Sequence, residues 1–406
     1  MGHTWRFVLW EVCGVAIKRC KLVVLQLREE RAVDLEALLS GAPSVVARNR
    51  WVALAAHRDG EVELDQNEIA LLGAVTSLHG SERAALEARF GAAAVQRLLD
   101  EQLLWDAATQ ASPEPSILDD WHPLSAVAHR HSRWAGVDTG AAAEQLARSG
   151  QRLTDALGEA PPTVAEPAAT SARIDLPSVS QGALAELCRR RVTCRNFDAG
   201  RPVALETMSR VLAGTYGAIG EFAMAGVQVV KKPVASAGGL HAIEPYVIAQ
   251  HVEGLRPGLY HYNGVQHSLG PVQLLEPPAL RALLSEALAG QFWFENCPVF
   301  VVHVARFGRN FWKYRRHAKA LRALTLDSGH LSHQQYLAAT ECGLAAFITA
   351  AINDHTLEAA FGLDPMQQGV MAISGFGYRG GAMENLEFDP NTVAWENWAT
   401  EAAGME

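Results

Sequence analysis

The stretch PVASAGGLHAIEPYVIAQ, residues 233–250, decides how this chain is read. Ser236, Ala237, Gly238 and Gly239 are small enough to let backbone approach a flat ligand closely, and their amides can donate to ring oxygens. The YVIAQHV run that follows is rich in β-branched and aromatic residues and reads as a strand. A glycine turn before a strand accounts for any two glycines, but not for the whole string Ser-Ala-Gly-Gly-Leu-His.

Helix and strand segments mix on both sides of this stretch. Helices are expected over QGALAELCRR, LETMSRVLAGTYGAI, PALRALLSEALAG, residues 328–342 and TLEAAFG. Strands are expected over YVIAQHV, GLYHYN, VFVVHVA, FITAAI and GVMAISGF. Such a mixture predicts an α+β sandwich around one mostly antiparallel sheet flanked by helices.

Two further stretches carry chemistry. RRRVTCRNF, residues 189–197, sets two arginines about a hydroxyl, the natural partners of a doubly charged phosphate. A basic helix end, its arginines offsetting the helix dipole, is the structural alternative. FWKYRRHAK, from Phe311, places Lys313 beside Tyr314. A cation beside a phenol favours phenolate, so either residue can serve as a base. Surface exposure of Lys313 and packing of Tyr314 is the plain alternative. The helix after it is expected to begin near Asp327 or Ser328 and to stop at Gly343, with Leu331, Leu337, Ala338 and Cys342 on its apolar side. His330 and His333 read as packing or interface residues.

Taken together, these three segments resemble the flavin-dependent nitroreductase superfamily and, within it, the SagB-type dehydrogenases that oxidise ribosomal peptides. The first matches R-x-S-x-R-x-F through Arg191, Thr193, Arg195 and Phe197, with threonine for serine. The resemblance implies that Arg191, Thr193 and Arg195 hold the phosphate and ribityl chain of flavin mononucleotide. The second is similar to P-S-A-G-G-L-H-P-x-E, with Ala235 before the serine and Ala242 for the usual proline. It implies that Ser236, Ala237, Gly238, Gly239 and His241 bind the cofactor. Lys313-Tyr314 stands where SagB-type azoline oxidases carry a Lys-Tyr pair, which makes these two residues the catalytic candidates. FITAAIND aligns with the family segment near flavin N5 and adds Thr349 and Ala350 without the usual glycines.

SGFGYRGG contains G-x-G-x-x-G at Gly375, Gly377 and Gly380. MENLEFDPN does not continue as the amphipathic helix a dinucleotide site needs, so that fingerprint is rejected. In nitroreductases a basic residue after the last core strand reaches the phosphate, so the resemblance adds Gly375 and Arg379 to the cofactor set. No phosphate loop for ATP is present.

The implied function is oxidation of a residue in a precursor peptide, azoline to azole. Hydride passes to flavin N5, a proton to a base, and electrons finally to oxygen. The resemblance further implies a homodimer whose sites are shared across the long helix, and a possible partner peptide-modifying enzyme. The alternatives are an NAD(P)H-dependent nitro or quinone reductase, and a flavin-free scaffold of nitroreductase shape.

The remaining sequence sets boundaries. The chain has 406 residues, 49% hydrophobic and 19% charged, which suits about two globular domains. A formal charge of −9 argues against nonspecific nucleic-acid binding. Charges at Glu11, Lys18, Arg19 and Lys21 interrupt any signal-peptide core, and no apolar run approaches the ~20 residues of a membrane span. A cytoplasmic protein is expected. The six cysteines, at 13, 20, 188, 194, 297 and 342, form no C-x-x-C pair and no zinc spacing.

GEAPPTVAEPAATSARIDLP, residues 158–177, reads as a linker. The expected domains are 1–155, a linker at 156–177, the flavin domain at 178–390 and a tail at 391–406. In the first, WVALAAHRDGEVELDQNEIALLGAV reads as strand, turn and helix. SERAALEARFGAAAVQRLLDEQLLW reads as a helical stretch opened by Ser81 and Glu82, split by Gly91 and closed by a short strand. Leu86, Phe90, Val95, Leu98 and Leu99 form its apolar face. This order, about 50–110, resembles the winged helix of leader-binding elements; an ordinary mainly helical packing domain is the other reading. A helix about 120–135 carries His122, His129 and His131. Packing or peptide contact is expected there, and no metal site.

Overall fold

The computed structural model describes residues 16–33, 45–141, 155, 158–164, 174–178, 182–224 and 226–403. Cys13, the first residues of the expected N-terminal domain and much of the expected linker lie outside the described residues. The chain divides into two compact units, Met1–Ser132 with Phe311–Ala320, and Arg133–Asn310 with Leu321–Glu406.

The first unit holds strands β1 (Ala16–Arg19), β2 (Val23–Val33), β3 (Val45–Ala55) and β4 (Val62–Leu64), then helix α1 (Gln66–Ala74). Strand β5 (Ser81–Glu82), helices α2 (Arg83–Phe90) and α3 (Ala92–Asp100), strand β6 (Leu104–Asp106) and helix α4 (Pro123–Ser132) follow. It is therefore mixed rather than mainly helical, with one sheet ordered β5-β1-β6 and another β2-β3-β4. Asp65 caps α1 by accepting from Glu68 N at 2.8 Å, and the Glu68 carboxylate accepts from Asp65 N at 3.0 Å, a reciprocal capping box. Gly91, at φ +91°, splits α2 from α3 as the sequence suggests. Ser81 does not cap α2. It pairs with Ile17 in β5, and Glu82, the residue before the helix, makes no side-chain cap. The core collects Ile17, Leu71, Leu86, Phe90, Val95 and Leu98.

The second unit begins before the expected linker. Trp134 N donates to Asp354 at 2.9 Å, and Val137 N donates to Asn353 at 2.8 Å. Its elements are α5 (Ala183–Arg190), β7 (Val203–Ala204), α6 (Leu205–Tyr216), β8 (Gly220–Met224), β9 (Val227–Lys231), β10 (Ile243–Ala249) and β11 (Val252–Glu253). Then come β12 (Gly258–Asn263), β13 (Ser268–Leu274), α7 (Pro277–Ala287), β14 (Val299–Arg306), α8 (Phe307–Tyr314, whose residues from Phe311 on belong to the first unit), α9 (Ala320–Glu341, from Leu321 on), β15 (Ala345–Thr349), α10 (Asp354–Phe361), β16 (Gln368–Gly377) and α11 (Trp398–Ala403). Six strands form one sheet in the order β13-β12-β10-β14-β16-β15. Every neighbouring pair in it is antiparallel, as the sequence predicts.

One face of this sheet packs on α7 and α10 through Phe300, Val302, Leu280, Leu284, Leu357 and Phe361. Burying each such side chain contributes about 1.5–3 kcal/mol. Phe294 and Phe347 stack with centroids 3.9 Å apart. The opposite face carries a buried polar network. His303 Nδ1 lies 2.8 Å from Ser328 Oγ, and its Nε2 lies 3.0 Å from Tyr216 Oη and 3.1 Å from Ser374 Oγ. Tyr216 and Ser374 hydroxyls both donate to Gln335 Oε1, at 2.7 and 3.0 Å. The network ties α6, β14, α9 and β16 together.

Burial lowers the His303 pKa to about 4, so the imidazole stays neutral in the fold. In the unfolded chain it titrates near its ordinary value of about 6.5. Its folded-state pKa is depressed, so the unfolded chain binds the proton first, and stability is full above about pH 6.5 and lost progressively as pH falls toward 4. Urea unfolding at pH 7 and pH 5 is expected to show a loss of about 2 kcal/mol that a His303→Gln variant does not show. Equal pH slopes in the two proteins would remove this role.

Candidate functional site

The RRRVTCRNF stretch leaves α5 in extended backbone, with Arg191 at φ −73° and ψ 110°. Thr193 forms a parallel bridge to Ala346 on β15, and Cys194 N donates to Ala346 O at 2.9 Å. Extended backbone alternates its side chains. Val192 and Cys194 are buried, so Arg191, Thr193 and Arg195 turn to the other side, each half-buried. The Arg191 guanidinium lies 5.2 Å from the Tyr336 ring centre, and Thr193 Oγ1 lies 3.0 Å from Tyr336 Oη. Two guanidinium-bearing residues and two hydroxyls thus line one edge of the sheet. That donor set suits a phosphate and a polyol chain. Tyr336 was not singled out from the sequence; its signal was a lone aromatic ring inside HQQYLAA.

The small-residue turn is built differently from the sequence expectation. Asp327 is not the start of the long helix. Helix α9 already begins at Ala320, and Asp327 lies within it, buried. Its carboxylate accepts from Ser236 Oγ at 2.6 Å and from Ala237 N at 3.0 Å. Ser236 Oγ in turn accepts from His241 N at 2.9 Å. The turn is tight enough to require positive φ at Gly238 (+61°), Gly239 (+69°) and His241 (+46°). Glycine takes this region without a Cβ clash; histidine does so against its ordinary preference and is held there by the Ser236 contact.

Within one chain these two stations do not meet. Asp327 and Tyr336 stand nine residues apart on α9, which is about 14 Å and two and a half turns. They therefore lie on opposite flanks of the helix. Thr349, by contrast, lies on β15 three residues beyond Ala346, on the same strand as the arginine station. Its hydroxyl donates to Gln291 Oε1 at 3.0 Å, and Ala350 is exposed just past the strand end.

The nitroreductase family model matches residues 188–378. Those residues form a nitroreductase-family domain. Over 150 residues, 35% of this chain, the sequence is 29% identical to the trifolitoxin-processing protein TfxB of Rhizobium leguminosarum bv. trifolii. That match covers 38% of TfxB, so the chain spans well under two thirds of this relative. The Methanocaldococcus jannaschii protein MJ1384, which carries a provisional nitroreductase name, is 27% identical over 184 residues, 45% of this chain and 86% of that protein. Among solved structures, a chain of the E. coli microcin synthetase McbBCD complex, with truncated pro-MccB17 bound, superposes with a TM-score of 0.50. It is 19% identical, and the match covers 66% of this chain and 94% of that one. The likeness extends the agreement in fold.

Two residues expected at the cofactor of the nitroreductase domain have structural occupations. Gly375 sits in buried β16, where a Cβ would come within 2.4 Å of the Phe347 ring and 2.7 Å of Cys297 Sγ. Packing alone demands glycine there. Arg379 forms an ion pair with fully buried Glu387, and its Nη2 donates to Val192 O at 3.3 Å. Its charge is matched within the chain by that carboxylate. Glu387, close to the end of the expected flavin domain, supplies that match. Glu387 Oε1 accepts from Arg195 N at 2.6 Å and Asn196 N at 3.0 Å, and Oε2 accepts from Trp395 Nε1 at 2.9 Å. Glu387 thus clamps the arginine station from behind. No run of regular structure marks it in the sequence.

Lys313 and Tyr314 belong to the first unit rather than to the sheet unit. Phe311 meets the Trp121 ring edge-on at 4.8 Å, Arg315 Nε lies 2.7 Å from Asp120 Oδ1, and Arg316 N donates to Asp120 O at 2.8 Å. Lys313 is exposed, Tyr314 is half-buried, and Lys313 Nζ lies 5.7 Å from the Tyr314 ring centre. In the same unit His129 stacks on Trp121 at 5.3 Å, and His131 Nε2 donates to Ala55 O at 3.1 Å, both packing contacts. Among the described residues no group of three His, Cys, Asp or Glu side chains could hold a metal. Among them, too, no helix is long and apolar enough to cross a membrane.

Proposed function

We propose that this protein is a flavin-mononucleotide-dependent, homodimeric dehydrogenase of SagB type that oxidises an azoline of a ribosomal precursor peptide to an azole. The observation that carries the reading is the outward row of Arg191, Thr193 and Arg195 beside Tyr336 on the β15 edge. Arg191 and Arg195 would hold the phosphate of the cofactor, and the Thr193 and Tyr336 hydroxyls its polyol chain. The Ser236–Gly239 turn would bring backbone amides to the ring of a site on a second copy. Its place on the opposite flank of α9 supports a site completed by two chains. Bound flavin would supply the hydride acceptor.

This chain's own task is then to hold the peptide and take one proton. The azoline ring carbon next to the one that loses hydride gives up a proton, and the electrons of that C–H bond become the new double bond. Tyr314 or Lys313 takes the proton. The first unit would recognise leader peptide or a partner enzyme through a winged-helix-like surface, and the protein would act in the cytoplasm. Similarity to a trifolitoxin-processing protein supports a role in peptide maturation.

Binding tests the reading directly. Purified protein is expected to be yellow or to become so with flavin mononucleotide. Arg191→Ala and Thr193→Val are expected to weaken binding roughly tenfold or more in a fluorescence-quenching titration, since each removes a bond to a charged or polyol group. Protein that stays colourless in excess flavin would leave only the scaffold reading.

A further inference from the structure

A second polar pocket lies away from the arginine station. It has a volume of about 500 Å³. Ala346, where Thr193 docks, pairs with Phe376, Phe376 with Val299, and Val299 with Ala249. Glu244 on the pocket wall lies five residues further along β10, which sheet spacing puts about 20 Å from Ala346.

The wall of this pocket includes Lys232, His241, Glu244, His261, Arg306 and Arg309. Three permanent cations face one carboxylate. That carboxylate is already engaged on both oxygens. Arg306 Nη1 lies 2.9 Å from Glu244 Oε1, and His261 Nε2 lies 3.3 Å from Oε2. Arg309 uses only its Nε, which donates to Leu240 O at 3.2 Å. Among the described residues the Arg309 Nη groups and Lys232 Nζ have no hydrogen-bond or ion-pair partner. Lys232 is half-buried, and partial desolvation lowers its pKa. A partly desolvated ammonium beside an open guanidinium fork favours an anion that completes it. Tyr246, Leu240 and Val265 add apolar wall around these heads. The volume falls in the range of small-ligand sites, about 300–1,000 Å³.

We infer that this pocket seats a carboxylate of the peptide substrate, an acidic side chain or the C-terminus, between Lys232 and Arg309. One planar fork and one point charge suit a single carboxylate, which accepts two bonds from the fork and one from the ammonium. The inference deepens the peptide-oxidation reading and rests on it for the identity of the ligand. Its test does not require turnover.

The probe is acetyl-glutamate α-amide, which presents one side-chain carboxylate, with acetyl-glutamine α-amide as the neutral control. Binding to the full-length, flavin-loaded protein is read by saturation-transfer difference NMR. Lys232→Met keeps the alkyl stem, and Arg309→Gln keeps a polar head; thermal melts and flavin absorbance report that both fold. The glutamate probe is expected to bind, the glutamine probe to bind at least tenfold more weakly, and each variant to lower glutamate affinity at least tenfold. Equal binding of the two probes, or unchanged glutamate binding in both variants, overturns the site. Binding of inorganic phosphate at the same residues with the glutamate probe inert overturns the carboxylate assignment. A colourless protein that still discriminates the two probes keeps the pocket and removes only the oxidase reading.

Discussion

Tyr314→Phe and Lys313→Ala are each expected to lower peptide oxidation by about 10²–10⁴-fold with flavin content unchanged, the range that a positioned acid–base group contributes. The phenol oxygen is the only group Tyr314→Phe removes, and its ring keeps its contact with His317, whose centroid lies 6.4 Å away. Phe311, Arg315 and Arg316 anchor the segment and are left in place by both changes. The measurement is the rate at which an azoline peptide loses a proton and a hydride, followed by mass spectrometry, beside the visible spectrum of each variant. If only Tyr314→Phe fails, tyrosine is the base and Lys313 supports it by charge; if only Lys313→Ala fails, the roles reverse. Full rates in both would end the assignment.

The second large effect concerns stability. Glu387→Gln is expected to cost about 3–5 kcal/mol, the usual result of removing one partner of a buried ion pair. Glu387 has no exposed surface, and burial already depresses the pKa of Arg379. Without the carboxylate charge the guanidinium stays buried and unmatched. The same change weakens the acceptor for Arg195 N and Asn196 N, so the arginine station loosens with it. Chemical denaturation checks the cost, and a flavin titration checks the loosening. Glu387→Gln with Arg379→Leu should cost less than Glu387→Gln alone, because the amide oxygen keeps an acceptor for the backbone donors and no charge is stranded. A loss below about 1 kcal/mol in Glu387→Gln would show that the pair does not clamp the station.

Sequence pattern reached far into the sheet unit. The strand at Val299–Arg306 and its partner at Gln368–Gly377 are mostly apolar, interrupted inside by His303 and Ser374, and buried strands read that way because both faces are covered. The alternation of Val192 and Cys194 against Arg191, Thr193 and Arg195 is local, so the row of donors was legible before any fold was known. Gly91, Gly343 and Gly362 ended or split helices for local backbone reasons of the same kind.

What the tertiary structure alone decided is who partners whom across long sequence separations. Asp327 looked like a helix cap because aspartate before an apolar run usually is one; it instead holds Ser236 from ninety-one residues away. Arg379 reads in the sequence as a basic residue after the last core strand, and its pairing with Glu387 shows only in the fold. Lys313-Tyr314 looked like part of the flavin domain, yet Trp121 and Asp120 hold their segment in the first unit. Periodicity and residue type are short-range properties and set each element by itself. The charge that neutralises a buried group depends on where the chain returns, and only packing the whole chain reveals that.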